Sequence, residues 1–77
     1  MDLKTYLADL GREDRERLAA ACGTSAGHLA NVMYGFRQCS PELAVALELQ
    51  TADAVTRQEL RPEDWPRIWP ELVPSAA

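Results

Sequence analysis

The sequence predicts a small all-α protein of four to five helices, organised around a helix-turn-helix. Within the segment Arg15–Gly35, apolar residues recur at helical spacing on both sides of Gly23, a residue suited to a sharp chain reversal. Leu18, Ala19 and Cys22 form the first apolar stripe. The second stripe consists of Leu29, Val32, Met33 and Phe36. Two such helices, packed closely through the small Ala19, are typical of the helix-turn-helix, whose second helix enters the DNA major groove.

The length of 77 residues allows one small core, so we expect a single domain over residues 1–72 and a frayed tail over residues 73–77. Apolar residues make up 47% of the chain and charged residues 26%, as in soluble globular proteins. The sequence contains no apolar run long enough to span a bilayer and no secretory signal at its start. We therefore expect a cytoplasmic, nucleoid-associated protein without membrane contact.

The net charge of −4 lies entirely in the second half of the chain. Residues 1–40 carry five basic and five acidic side chains, whereas residues 41–77 carry three basic and seven acidic ones. A neutral first half can still bind a polyanion through its arginines, but non-specific affinity should be weak, because it scales with the number of cationic contacts.

Capping residues predict where the first three helices begin and end. The first helix is expected over residues 2–9, and the second follows Gly11, which acts as its N-cap. Thr24 or Ser25 caps the third helix, and Gly35 follows its last turn as a stop.

The fourth helix is expected over Pro41–Gln50, with Ser40 as its cap and proline at its first position. It is apolar nearly all round. Its inner face should contain Leu43, Ala44 and Leu47. Val45 and Leu49 would then lie in water unless a partner subunit or the C-terminal tail covers them, so they form a candidate dimer interface.

The remaining chain is expected to form short elements only. Thr56 and Glu59 fit a capping box for a helical turn that ends near Leu60. Three prolines between residues 61 and 70 exclude a long helix there. The tail also carries Trp65, Ile68 and Trp69. We expect it to fold back and lay one or both tryptophans across the first and fourth helices.

The outward side of the third helix carries the candidate base contacts, centred on Asn31. Its amide can both donate to and accept from adenine in the major groove, although a solvated surface asparagine is the simpler interpretation. Gly27 and Ala26 would let the helix sit deep, with Ala26 near a thymine methyl, or would merely begin the helix. Tyr34 either donates to a phosphate or packs sideways, and His28 either contacts the groove edge or is plainly exposed.

The candidate phosphate contacts bracket this helix. They are Thr24, Ser25 and the first backbone amides of the third helix, with Arg15 on the second helix and Arg37 beyond the third. Arg12 and Arg17 are instead expected to pair with acidic neighbours at helical spacing, Glu13, Asp14 and Glu16.

Catalysis and metal binding find little support. The single His28 with Cys22 and Cys39 lacks an orienting group for a nucleophile, and these three residues lack the spacing and fourth ligand of a zinc site. We expect free thiols, no cofactor, no metal and no enzymatic activity.

Four segments carry a family resemblance: ERLAAACGTS at 16–25, GFR at 35–37, SPELA at 40–44 and AVTRQELRPEDW at 54–65. In order and spacing they resemble the Cro-like and YdaS-type helix-turn-helix regulators of bacteria and their prophages, within the lambda-repressor-like superfamily. The resemblance extends over residues 2–69. It implies a compact all-α fold and binding to a DNA operator, usually as a dimer on paired half-sites. Some members are antitoxins or partners in toxin loci.

The residues that match the family's DNA-facing positions are Thr24, Ser25, Gly27, Asn31 and Arg37. Two departures stand out. Phe36 and Gln38 lie where relatives are often more basic, which lowers the expected affinity. Ala52-Asp53 lies where relatives often have glycines, which concerns only the geometry of the turn.

The sequence thus predicts a transcriptional regulator, a Cro-like repressor that binds double-stranded operator DNA as a homodimer. The alternative is a protein-interaction module or antitoxin component on the same scaffold. In that case the acidic second half, the face of Val45 and Leu49, and the tryptophan-rich tail would bind a protein partner.

Overall fold

The computed structural model describes residues 1–74, which form six α-helices and one 3₁₀ turn without any strand. The elements are α1 (Leu3–Ala8), α2 (Arg12–Ala21), α3 (Ala26–Met33), α4 (Pro41–Gln50), α5 (Arg57–Leu60), α6 (Trp65–Ile68) and the 3₁₀ turn Pro70–Leu72. The all-α prediction is confirmed, and the short α6 adds to the predicted set. Within the same residues, no helix is both long and apolar enough to cross a bilayer.

Side-chain caps begin the helices largely where the sequence places them. Ser25 accepts a hydrogen bond from the backbone N–H of His28 at 3.1 Å, so Ser25 rather than Thr24 caps α3. Ser40 accepts from the N–H of Leu43 at 3.1 Å and caps α4. The capping box of Thr56 and Glu59 is present at α5. Gly11 occupies the N-cap of α2 without a side-chain hydrogen bond.

Three helices end in the same type of left-handed turn. Gly23 (φ +74°) follows α2, and the N–H of Thr24 donates to the carbonyl of Ala19 at 2.9 Å, which is the hydrogen bond of a Schellman motif. Gly35 (φ +82°) has the same role after α3. After α4 two consecutive residues other than glycine, Ala52 (φ +52°) and Asp53 (φ +67°), are left-handed, a conformation that is sterically unfavourable for residues with a Cβ.

The core lies between α1, α2, α3, α4 and the residues around α5. Its largest fully buried side chains are Leu7, Leu29, Leu47 and Val55. The predicted inner face of α4 (Leu43, Ala44 and Leu47) is buried, and the small Ala19 is buried on α2, which packs against both α3 and α4. The two apolar stripes predicted around Gly23 therefore largely belong to one core, with Cys22 only half-buried.

One prediction of burial needs correction. Phe36 was expected on the buried stripe, but its side chain is 73% exposed. The helical period stops before Phe36, because Gly35 turns the backbone away from the axis of α3. Val45 and Leu49 are predicted to lie in water unless a partner subunit or the tail covers them; Val45 is half-buried against the core, and Leu49 is 72% exposed.

The C-terminal segment is held to α4 and α5 by an ionic and aromatic cluster. Glu48 on α4 lies 3.0 Å from Nε of Arg57, and its other oxygen accepts from the backbone N–H of Arg57 at 2.9 Å. The Nε–H does not point at the oxygen, so the side-chain contact is an ion pair rather than a hydrogen bond. The Arg57 guanidinium lies 5.3 Å from the ring centroid of Trp69, which is buried in the core. Of the tail predicted to fray, Val73 and Pro74 are exposed, and residues 75–77 lie outside the described residues.

Candidate nucleic-acid interface

The outward side of α3 presents the three residues that the helical period places there. Gly27, Asn31 and Tyr34 are all exposed, whereas Leu29 on the opposite side is 1% exposed. Asn31 also holds the end of the helix, because its backbone carbonyl accepts from the N–H groups of Phe36 and Arg37 at 2.8 and 3.2 Å. Its side-chain amide thus stands on a rigid helical turn and faces solvent.

The residues at the beginning of α3 are partly packed against the rest of the protein. Thr24, Ala26 and His28 are half-buried, and Ala26 packs against the core. The Ser25 hydroxyl already accepts the N–H of His28 in its role as N-cap. Gly27 is exposed, and a Cβ built there would meet only Ser25 Oγ, at 3.9 Å.

Arg15 lies where α2 meets the start of α3. Its Nε donates to the backbone carbonyl of Leu7 at 2.9 Å, which anchors the guanidinium between α1 and α2. The side chain borders an open depression of about 560 Å³, together with Leu10, Arg12, Glu16, Ala26 and Gly27. A guanidinium has five N–H donors, so an arginine that uses one of them for this anchor keeps donors for an anion.

The other two arginines of α2 are occupied by acids on the same helix. Nε of Arg12 lies 3.3 Å from Glu16. The guanidinium of Arg17 lies 3.6 Å from Asp14 and 3.9 Å from Glu13. These exposed pairs confirm the predicted pairing. They contribute little to stability, and they place carboxylates beside two of the five basic side chains of residues 1–40.

Comparison with known proteins places this chain in a family. No family model matches it. A curated protein of Escherichia coli, described as a prophage transcriptional regulatory protein, is 35% identical over 65 residues, which cover 84% of this chain and 98% of the relative. The chain belongs to the family of prophage transcriptional regulatory proteins. It is therefore a transcriptional regulator, which is not a class of enzyme.

In this prophage-type regulator, two side chains near the end of α3 were not among the predicted site residues, namely Lys4 and Phe36. The rings of Tyr34 and Phe36 lie with centroids 6.4 Å apart, and Nζ of Lys4 on α1 lies 5.9 Å from the Tyr34 centroid. No local pattern indicates Lys4, because only the fold brings α1 to the end of α3. Phe36 was missed because the helical period assigned it to the core.

The two thiols of the regulator are protonated at neutral pH. Burial raises the pKa of Cys39 to about 11, and burial also raises the pKa of the half-buried Cys22 above its usual value. Both are free. In the described part of the chain, no group of three or more His, Cys, Asp or Glu side chains is arranged to hold a metal ion.

Proposed function

We propose that this regulator binds double-stranded DNA sequence-specifically by inserting α3 into the major groove, and that it acts as a Cro-like repressor on an operator. The observation that carries the proposal is the exposure of Asn31 between Gly27 and Tyr34, on a helix whose opposite face is buried. The name of the E. coli relative supports a role in gene control.

Asn31 would identify a base pair, and Gly27 would allow close approach. An asparagine amide makes two hydrogen bonds to adenine in the major groove, which no other base edge matches. A side chain at position 27 would stand between α3 and the groove, whereas glycine adds nothing there. His28 and Ala26, at the half-buried start of the helix, would contact the edge of the groove.

The phosphate contacts would lie on both sides of α3. Arg15 with Thr24 and Ser25 would bind one strand near the start of the helix, and Arg37 with the Tyr34 hydroxyl would bind the other strand near its end. Such contacts position the helix on the duplex without identifying bases. Arg12 and Arg17 stay with their acidic partners.

We propose that the protein binds DNA as a homodimer of the domain formed by residues 1–72. We also propose that it acts in the cytoplasm, at the nucleoid. Leu49 is 72% exposed on α4, and its neighbour Val45 is half-buried, so α4 offers an apolar contact for a second copy. Two copies related by a two-fold axis would bind half-sites about one helical turn, ~34 Å, apart.

The test is selection of bound duplexes from a random library, followed by affinity measurements on the enriched sequence and a scrambled one. Asn31→Ala should lose about 1–3 kcal/mol of discrimination between the two duplexes. Gln50→Ala, which removes an exposed amide from α4, is the matched control and should keep the discrimination of the unmodified protein. If no sequence is enriched even at low salt, the proposal is wrong.

A second candidate, a protein-interaction module or antitoxin component, is favoured by the exposed Leu49 and the acidic second half of the chain. Leu49→Glu would abolish partner binding in that case and leave monomeric DNA binding intact. The double variant Asn31→Ala with Arg37→Ala would abolish DNA binding and leave partner binding intact.

A further inference from the structure

A cluster of exposed aromatic and basic side chains lies at the C-terminal end of α3. Tyr34 is 59% exposed and Phe36 is 73% exposed, and their ring centroids are 6.4 Å apart. Nζ of Lys4 lies 5.9 Å from the centroid of Tyr34, and Arg37 follows Phe36 directly. We call these four residues the aromatic edge.

The backbone holds the aromatic edge in place. The N–H groups of Phe36 and Arg37 both donate to the carbonyl of Asn31, at 2.8 and 3.2 Å, in the turn that Gly35 makes possible. Asn31 therefore has two roles. Its backbone carbonyl holds the backbone of the aromatic edge, and its side-chain amide is the candidate base contact. Tyr34, which belongs to the aromatic edge, is exposed on the same outward side of the helix as Asn31.

The charge of the aromatic edge is positive. Within residues 1–74, neither Lys4 nor Arg37 has an acidic side chain within ion-pair distance. Asp2, close to Lys4 in sequence, is used as the N-cap of α1, where it accepts from the N–H of Thr5 at 2.8 Å. The exposed rings lie beside the unpaired Lys4, and the unpaired Arg37 follows them in sequence. This combination suits a ligand that is anionic and also has apolar surface.

We propose that the aromatic edge binds the sugar-phosphate backbone of duplex DNA next to the base pairs contacted by α3. The rings of Tyr34 and Phe36 pack on deoxyribose, while Lys4 and Arg37 bind the adjoining phosphates. This inference rests on the proposed function and adds Phe36 and Lys4 to the interface. Sugar and phosphate contacts of this kind fix the register of a protein on DNA.

Charge favours DNA over a second copy of the chain as the occupant. A two-fold contact between two aromatic edges places the same surface on both sides. Lys4 and Arg37 of one copy would then lie near Lys4 and Arg37 of the other, and like charges across an interface oppose association. A DNA backbone instead supplies the missing negative charge.

The test measures the affinity of the full chain for the duplex enriched by selection and for its scrambled counterpart. Phe36→Ala should weaken binding to both duplexes about fivefold, because part of an exposed phenyl ring is buried on the backbone. Lys4→Gln should lower the slope of log affinity against log salt by about 0.9, the value for one phosphate contact. Val73→Ala and Arg67→Gln remove an exposed apolar and an exposed basic side chain from the acidic half, and both should behave like the unmodified protein.

The outcomes separate this inference from the proposed function. If Asn31→Ala loses discrimination while Phe36→Ala and Lys4→Gln bind like the unmodified protein, the aromatic edge does not contact DNA and the proposed function stands. If the unmodified protein binds neither duplex, both proposals are wrong. If Phe36→Ala converts a dimer to a monomer in light scattering, the aromatic edge is an interface between copies and the inference is overturned.

Discussion

The salt dependence of DNA binding follows from the pairing of the cations in the first half of the chain. Arg12 and Arg17 are paired with acids of α2. Lys4, Arg15 and Arg37 have no ion-pair partner among the described residues. Each phosphate neutralised contributes about −0.9 to the slope of log affinity against log salt, so three contacts give about −2.7 for each bound chain.

With this slope, raising the salt concentration from 50 to 200 mM lowers the DNA affinity of one chain about 40-fold and that of a dimer about 2,000-fold. The assay is fluorescence anisotropy with a labelled duplex at a series of salt concentrations, with the stoichiometry taken from light scattering. Arg15→Gln should reduce the slope by about 0.9, whereas Arg12→Gln should not change it. A slope near −4.5 per chain would mean that all five basic side chains bind phosphate, which would refute the reasoning from ion pairing.

Three further predictions concern stability and close approach. Gly27→Ala should preserve the fold or stabilise it by about 0.5–1 kcal/mol, since the new Cβ meets only Ser25 Oγ at 3.9 Å, but it should weaken DNA binding. Arg57→Ala should lower the free energy of unfolding in urea by about 2 kcal/mol, because it leaves the largely buried Glu48 carboxylate without its ion pair. The raised pKa of Cys39 means that the folded protein keeps a proton that the unfolded chain releases above pH 9.0, so stability should fall as the pH rises from 9.0 towards about 11.

Each of these predictions has a matched control. Gly23→Ala adds the same methyl group at φ +74° and should destabilise the fold, so equal effects of the two glycine variants would contradict the account of Gly27. Arg17→Ala removes an exposed ion pair and should change stability by less than about 0.5 kcal/mol. The free energy of unfolding of Cys39→Ala should fall less steeply between pH 9.0 and about 11 than that of the unmodified protein. Identical curves of stability against pH would show that this thiol does not contribute to the alkaline loss of stability.

Local signals were sufficient to predict α1 to α5, but not the short α6. Ser40 followed by proline, and the spacing of Thr56 and Glu59, each identify a helix start from a few adjacent residues, because capping is a local interaction. Gly23 and Gly35 marked two helix ends for the same reason, since their left-handed conformation is unfavourable for other residues.

The contacts that the sequence did not predict depend on tertiary structure. Glu48, Arg57 and Trp69 come together only after α4, α5 and the tail are packed, and no local spacing indicates that cluster. Phe36 was wrongly placed in the core, because a helical period was extended across Gly35, where the helix has already ended. The assignment of Asn31 to the outward side needed only the period of α3 itself, and the exposure of Asn31 agrees with it.

The measurement that tests the proposed DNA contact most directly is a titration of the isotope-labelled full chain with the selected duplex, followed by amide chemical shifts. The largest shifts are expected at Gly27, Asn31 and Tyr34, with further shifts at Phe36 and Arg37. Shifts concentrated at Leu49 and the rest of α4, with the outward side of α3 unchanged, would contradict the proposed DNA contact.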